Sequence, residues 1–219
     1  MTPQAILDRP RVSDVAKALA ADPLALVGVP VTYAKDEEIY GQDETTDLIY
    51  RVISGVVRTS RFMADGRRPV GDFYYAGDLF GLETGDRHAM AAEALSDAVV
   101  LVASRKALVA LAGEAALQTL THHATVRDLE SARRHLSLLV RKTACERVAS
   151  FLIGLADRCC DDVVDLAMGR QDTADYLGLT VETVSRMITQ LQTARVVEFL
   201  TCRQFRIRDA AALAHLAAG

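Results

Sequence analysis

The chain has no tryptophan, only 4 cysteines, and none of these before Cys145. Cys145, Cys159, Cys160 and Cys202 form no CxxC pair and no cluster with histidine, so reduced thiols are expected. Cys159 and Cys160 are adjacent, where a disulfide would be strained. No H-x-H pair, G-x-S-x-G elbow, P-loop or H-E-x-x-H occurs, so a cupin-type metal site and the common hydrolase or nucleotide chemistries lack their residues. His122 and His123 point about 100° apart on a helix and cannot chelate one ion together. Enzyme activity, metal and cofactor are therefore not expected. No apolar run reaches the length of a membrane span, because Asp97, Arg105, Lys106 and Glu114 interrupt the most hydrophobic region. The opening MTPQAILDRPRVSD lacks a basic region followed by an apolar core, so no export signal is read there and a cytoplasmic location is expected.

A large positive charge is missing too, the net charge being −4. Its distribution is uneven. Residues 1–126 hold 12 Lys+Arg against 17 Asp+Glu, a balance of −5, whereas residues 127–219 hold 13 against 12, a balance of +1. Between Arg186 and Arg208 there are five arginines (186, 195, 203, 206, 208) and one acid, Glu198. A local basic patch on an acidic chain can attract phosphate while limiting non-specific binding.

That patch adjoins the most informative stretch, Arg170 to Ala194. Gln171 to Leu177 reads as a short amphipathic helix, Gly178 breaks it, Leu179 plugs the corner, and Thr180 N-caps a second helix. Val181, Val184, Ile188 and Leu191 then fall on one helical face, opposite Glu182, Thr183, Ser185, Arg186, Thr189 and Gln190. Two short helices around a Gly-containing turn make a helix-turn-helix, whose second helix enters a DNA major groove. Glu182, Ser185 and Arg186 project together from its first turn and a half. They are base-reading types: Arg for guanine O6 and N7, Glu for cytosine N4, Ser for a thymine methyl or a base edge. A solvated helix face with a Glu–Arg pair is the bland alternative.

From about Leu48 to Ala103 short runs rich in branched and aromatic residues alternate with Gly turns. LIYRVI, VVRTSRF, PVGDFYY, HAMAAEAL and AVVLVA are the expected strands, with Asp65-Gly66 as a hairpin signal. So many short strands predict an antiparallel barrel or roll. Ser104 can cap a short helix that Gly113 ends, and from Glu114 to Leu139 a long helix without Gly or Pro follows. Leu117, Leu120, Ala124, Ser131, His135 and Leu138 fit a coiled-coil-type seam along it. Val148, Phe151, Leu152 and Leu155 mark a further amphipathic helix. Asp162 to Ala167 reads as a strand, and Val196–Leu200 with Gln204–Ile207 as a β-wing tipped by Cys202, whose oxidation near DNA is a candidate control. The fold class is α+β.

YLGLTVETVSRMITQLQ resembles the recognition motif of the CRP/FNR superfamily of bacterial transcription regulators, and L-x-R-K-T-A-x-E-R-V-A-S-F-L resembles its FixK branch. Asp65–Arg68 and F-x-x-x-G-D-x-F-G at Phe73–Gly81 resemble the family's sensory roll. The resemblance implies a cyclic-nucleotide-binding-like roll over residues 1–113, a dimerisation helix over 114–139 and a winged helix-turn-helix over 140–219. It implies that Glu182, Ser185 and Arg186, with Val181 at a position that varies between branches, read a TTGA-type half-site in a TTGA–N6–TCAA palindrome. Arg170, Gln171, Thr180 and Thr183 resemble its phosphate contacts. The expected partners are double-stranded DNA, RNA polymerase and a second copy joined through the long-helix seam; no membrane is implied. Where cyclic-nucleotide members carry a ribose-binding Glu, Leu82 follows Gly81 here, and His88, Met90, Glu83 and Asp86 disfavour an anionic ligand. A cysteine-ligated iron–sulfur cluster, which FNR uses, has no cysteines in the N-terminal half to hold it. His88 reads as a solvated loop residue; the alternative is a sensor holding haem or another small molecule in the roll beside it. The FixK branch implies DNA binding without an obligatory effector and activation of microaerobic, respiratory or nitrogen-cycle genes.

Overall fold

A computed structural model describes residues 23–83, 85–141, 143–159 and 161–218. The export-signal reading at the N-terminus and the reading of Cys160 lie outside the described residues. In chain order the elements are α1 (Pro23–Val27), β1 (Val29–Tyr33), β2 (Glu38–Tyr40), β3 (Leu48–Ser54), β4 (Val57–Ser60), β5 (Val70–Tyr74), β6 (Leu79–Phe80), β7 (Ala91–Ala94) and β8 (Ala98–Ser104). There follow α2 (Arg105–Ala112), α3 (Glu114–Arg141), α4 (Ala144–Ala156), β9 (Val164–Asp165), α5 (Arg170–Leu177), α6 (Val181–Thr193), β10 (Val197–Thr201), β11 (Gln204–Ile207) and α7 (Ala210–Ala218).

The N-terminal strands form two four-stranded antiparallel sheets, β1-β8-β3-β6 and β2-β7-β4-β5. Between them lie Tyr40, Tyr50, Val52, Val57, Tyr74, Phe80, Ala92 and Val100. Burial pushes the Tyr50 hydroxyl up to about 12, so it stays neutral in this interior. The chain changes sheet at Ser54-Gly55. Gly55 has φ of +83°, and a Cβ there would stand 2.5 Å from the Asp97 carbonyl oxygen, so only glycine fits. Asp65-Gly66 turns the β4–β5 hairpin as its sequence signal implies, with Ser60 opposite Val70. Strands β1 and β2, with α1, are additional to the strands read from the sequence. β1 is a sheet edge, where Pro30 is tolerated because its missing N–H has no ladder partner to serve.

The outer face of the first sheet is covered by α1, α2 and the start of α3, with Leu24, Ile49, Leu101, Leu108 and Ala124 buried in one cluster. Beyond α3, the C-terminal unit has its own core of Val148, Phe151, Leu152, Leu177, Val184, Ile188, Leu191, Phe205 and Leu213. That core continues into the roll through Val70, Phe73 and Leu95. The wing is a three-stranded sheet, β10-β11-β9, and α7 packs on α4. Through this shared core the roll and the C-terminal unit are packed directly against each other, and the buried apolar area contributes roughly 25 cal/mol per Å².

The six residues expected to form a dimer seam on α3 all make contacts within their own chain. Leu117, Leu120 and Ala124 pack into the cluster over the first sheet. Ser131 is buried, and the His135 ring stacks on Tyr176 of α5 with centroids 4.0 Å apart. Leu138 lines the cleft beside Phe151. Along the same helix Val126, Leu129, Leu136 and Val140 are the exposed large apolar residues, at 43%, 50%, 61% and 70% exposure. Their spacing continues the heptad 126–129–133–136–140; Val126 and Leu129 lie about 200° round the helix from buried Ala124 and Ser131, and Leu136 and Val140 from half-buried Leu138. The helix has two apolar stripes, and the one richer in leucine and alanine is used internally.

Candidate nucleic-acid interface

Local chemistry fixes the helix pair. At the start of α5, Gly169 donates its N–H to Asp172 Oδ2 at 3.0 Å, and Thr173 Oγ1 donates to the Gly169 carbonyl at 2.9 Å. Gly178 adopts a left-handed conformation (φ 61°, ψ 40°) and closes the helix by donating to Ala174 O. The Leu179 N–H also donates to Ala174 O, at 3.0 Å, and its side chain packs on the core. Thr180 Oγ1 then accepts the Thr183 N–H at 3.2 Å, the N-cap expected for α6. Val184, Ile188 and Leu191 are buried beneath α6, so its opposite face is held outward.

Glu182, Ser185 and Arg186 are all exposed on that outward face, with Thr189 and Gln190 beyond them. The Glu182 backbone N–H and the Thr180 hydroxyl hold the Glu182 carboxyl below its ordinary range, so it remains an acceptor at neutral pH. Val181, the first residue of α6, is half-buried: it lies three residues before Val184 and packs against the core on its inward side. Gln171 is exposed and its Nε2 donates to Asp175 Oδ1 at 2.7 Å. Thr180 is exposed, and Thr183 stands within 3.1 Å of its hydroxyl. Arg170 is half-buried, its guanidinium 4.7 Å from the centre of the Phe199 ring of the wing, and burial pushes its pKa down.

The basic patch is smaller than its five arginines suggest. Arg206 and Arg208 both pair with Glu198, while Arg186, Arg195 and Arg203 are exposed. Cys202 is exposed in the turn between β10 and β11.

His88 sits differently from the position its loop sequence implies. It is wholly buried and not a solvated loop residue: its ring stacks on Tyr40 at 3.8 Å and its Nδ1 lies 3.0 Å from Glu83 Oε2. A pocket of about 240 Å³ nearby, between roll and α3, is lined by Tyr40, Tyr74, Leu82, Glu83, Met90 and Asp128 among others. Its lining carries two acids and no base. No cluster of three His, Cys, Asp or Glu able to hold a metal occurs among the described residues. No helix is long and apolar enough to cross a membrane there either.

A helix pair with an outward polar face, a wing beside it and a double-sheeted roll packed behind define a DNA-binding transcription regulator. Residues 146–216 match the Crp-like helix-turn-helix domain, and residues 30–127 match the cyclic nucleotide-binding domain. The chain is 41% identical over 220 residues to the nitrogen fixation regulation protein FixK of Azorhizobium caulinodans, covering 94% of this chain and 89% of that one. It is 36% identical to the protein of the same name from Rhizobium meliloti, over 90% of this chain and 92% of that one. The solved structure of FixK2 from Bradyrhizobium japonicum superposes with a TM-score of 0.83 at 42% identity, covering 88% of this chain and 98% of that one. The chain belongs to the CRP/FNR superfamily, in its FixK-type branch.

Proposed function

We propose that the protein is a homodimeric activator that reads a TTGA–N6–TCAA-type palindrome without an obligatory effector. The observation that carries this reading is the outward trio Glu182, Ser185 and Arg186, held by a capped helix whose other face is buried. A two-fold partner supports it physically, since two recognition helices one DNA turn apart, about 34 Å, match a repeated half-site. The exposed stripe Val126, Leu129, Leu136 and Val140 supplies the apolar seam for that partner. Arg170, Gln171, Thr180 and Thr183 take the phosphate-contact role, which fixes register. Effector independence is supported by the roll pocket, where Glu83 and Asp128 repel an anionic nucleotide. By analogy with the nitrogen-fixation regulators it resembles, the protein acts in the cytoplasm on microaerobic, respiratory or nitrogen-cycle promoters, through contact with RNA polymerase. A gel shift with the TTGA palindrome and no additive tests this: a discrete complex is expected, and no complex would refute effector independence.

One observation favours a second reading, a ligand in the roll: His88 Nε2 is buried without a hydrogen-bond partner. A haem band in the absorption spectrum of the purified protein would establish that reading. Oxidation of exposed Cys202 is proposed to weaken DNA contact at the wing. Mass spectrometry after peroxide treatment checks it, and an inert Cys202 removes it.

A further inference from the structure

Asp172, at the third position of α5, is a carboxylate shared between the two halves of the molecule. Its Oδ2 caps its own helix at Gly169, and its Oδ1 accepts from Arg68 at 2.7 Å and from Arg58. Both arginines come from the roll, Arg58 from β4 and Arg68 from the β4–β5 hairpin. Arg58 is 5% exposed and also bonds Glu93 of β7. Arg68 reaches a second α5 carboxylate, Asp175, at 3.2 Å. At the hairpin tip Asp65 captures Arg67 at 2.7 Å, while Arg68 is turned to α5. On its far side Asp175 accepts from Gln171, the exposed residue at the DNA-facing start of the helix. A chain of charge-assisted bonds therefore runs from roll hairpin to the DNA face, and such bonds are stronger and more directional than neutral ones.

We infer that Arg68 is a positioning residue for DNA recognition: through Asp172 and Asp175 it holds the helix-turn-helix against the roll in the orientation that reads the palindrome. This rests on the proposed effector-independent binding and supplies its cause, because the orientation is set by bonds within the chain. Arg68 acts through α5 and makes no contact with DNA itself.

The test uses full-length protein without additives, measuring affinity for the palindrome and for a duplex with one half-site, over a range of salt. Orientation matters for engaging two half-sites together and little for one. Arg68→Ala is expected to weaken palindrome binding roughly five- to tenfold, with single half-site binding and salt slope unchanged at a temperature where both proteins are fully folded. Asp175→Asn, which keeps an acceptor for Gln171 but loses the charge, should give a smaller fall in the same direction, and Arg68→Lys should restore part of the affinity. Unchanged palindrome affinity in both Arg68→Ala and Asp175→Asn overturns the inference. So does a salt slope lowered by about one with both duplexes weakened, which would make Arg68 a direct phosphate contact. Failure of the wild type to bind at all would instead defeat the effector-independent reading.

Discussion

Arg186 carries the most specific role in the proposed recognition of DNA. It is exposed, it follows Ser185 on the face left free by Val184 and Ile188, and its guanidinium fits the two acceptors of guanine. Arg186→Ala should cost about 1–3 kcal/mol of palindrome binding and relax discrimination at that guanine, measured by anisotropy against all four bases. Asp128 tests a different kind of residue effect. Burial first, opposed by its bond from Arg127, leaves its carboxyl above the ordinary range. A group with a raised folded pKa favours the fold below its unfolded pKa and loses that contribution as pH rises through the folded value. Asp128→Asn should therefore raise Tm more at neutral pH than at about pH 4, as thermal unfolding at the two pH values will show. The outward placement of Glu182, Ser185 and Arg186 on α6 was legible in the sequence because a capped helix is a local object. His88 was not, since its burial depends on Tyr40, distant in the chain and brought over it by sheet pairing.

At the scale of the element, α3 shows what periodicity can and cannot decide. The helix and its start after Gly113 follow from composition, but the sequence carries two apolar stripes and does not say which one the chain keeps for itself. Packing decides it: α1, α2 and the first sheet need a lid, and Leu117, Leu120 and Ala124 supply it. The stripe left outside is then the one open to a second copy. Leu129→Asp, at its centre, should raise the dimer dissociation constant by about a hundredfold or more, because each dimer buries two such charges. Analytical ultracentrifugation would show mass moving from twice 23.8 kDa toward 23.8 kDa, whereas an unshifted dimer would place the interface elsewhere. The missed strand β1 has a related cause. Val29–Tyr33 is mostly open to solvent with a proline inside it, so its pattern is weak, and it is a strand because β8 lies alongside.

Considered whole, the molecule is a sensor-type roll joined to a DNA-reading head by a shared apolar core and by ion pairs between residues more than 100 apart in sequence. Those long-range bonds are invisible to local reading, although both ends, the Asp65–Arg68 hairpin and α5, stand out by their own motifs. The roll also gives the long helix its inner contacts, so the two heads of a dimer would inherit their separation from it. The most direct measurement is the affinity of the full-length protein, without additives, for the TTGA–N6–TCAA duplex and for the same duplex with one half-site scrambled. Recognition by a two-fold dimer requires tight binding to the first and a loss of more than about a hundredfold on the second. Equal affinity for the two duplexes would contradict it.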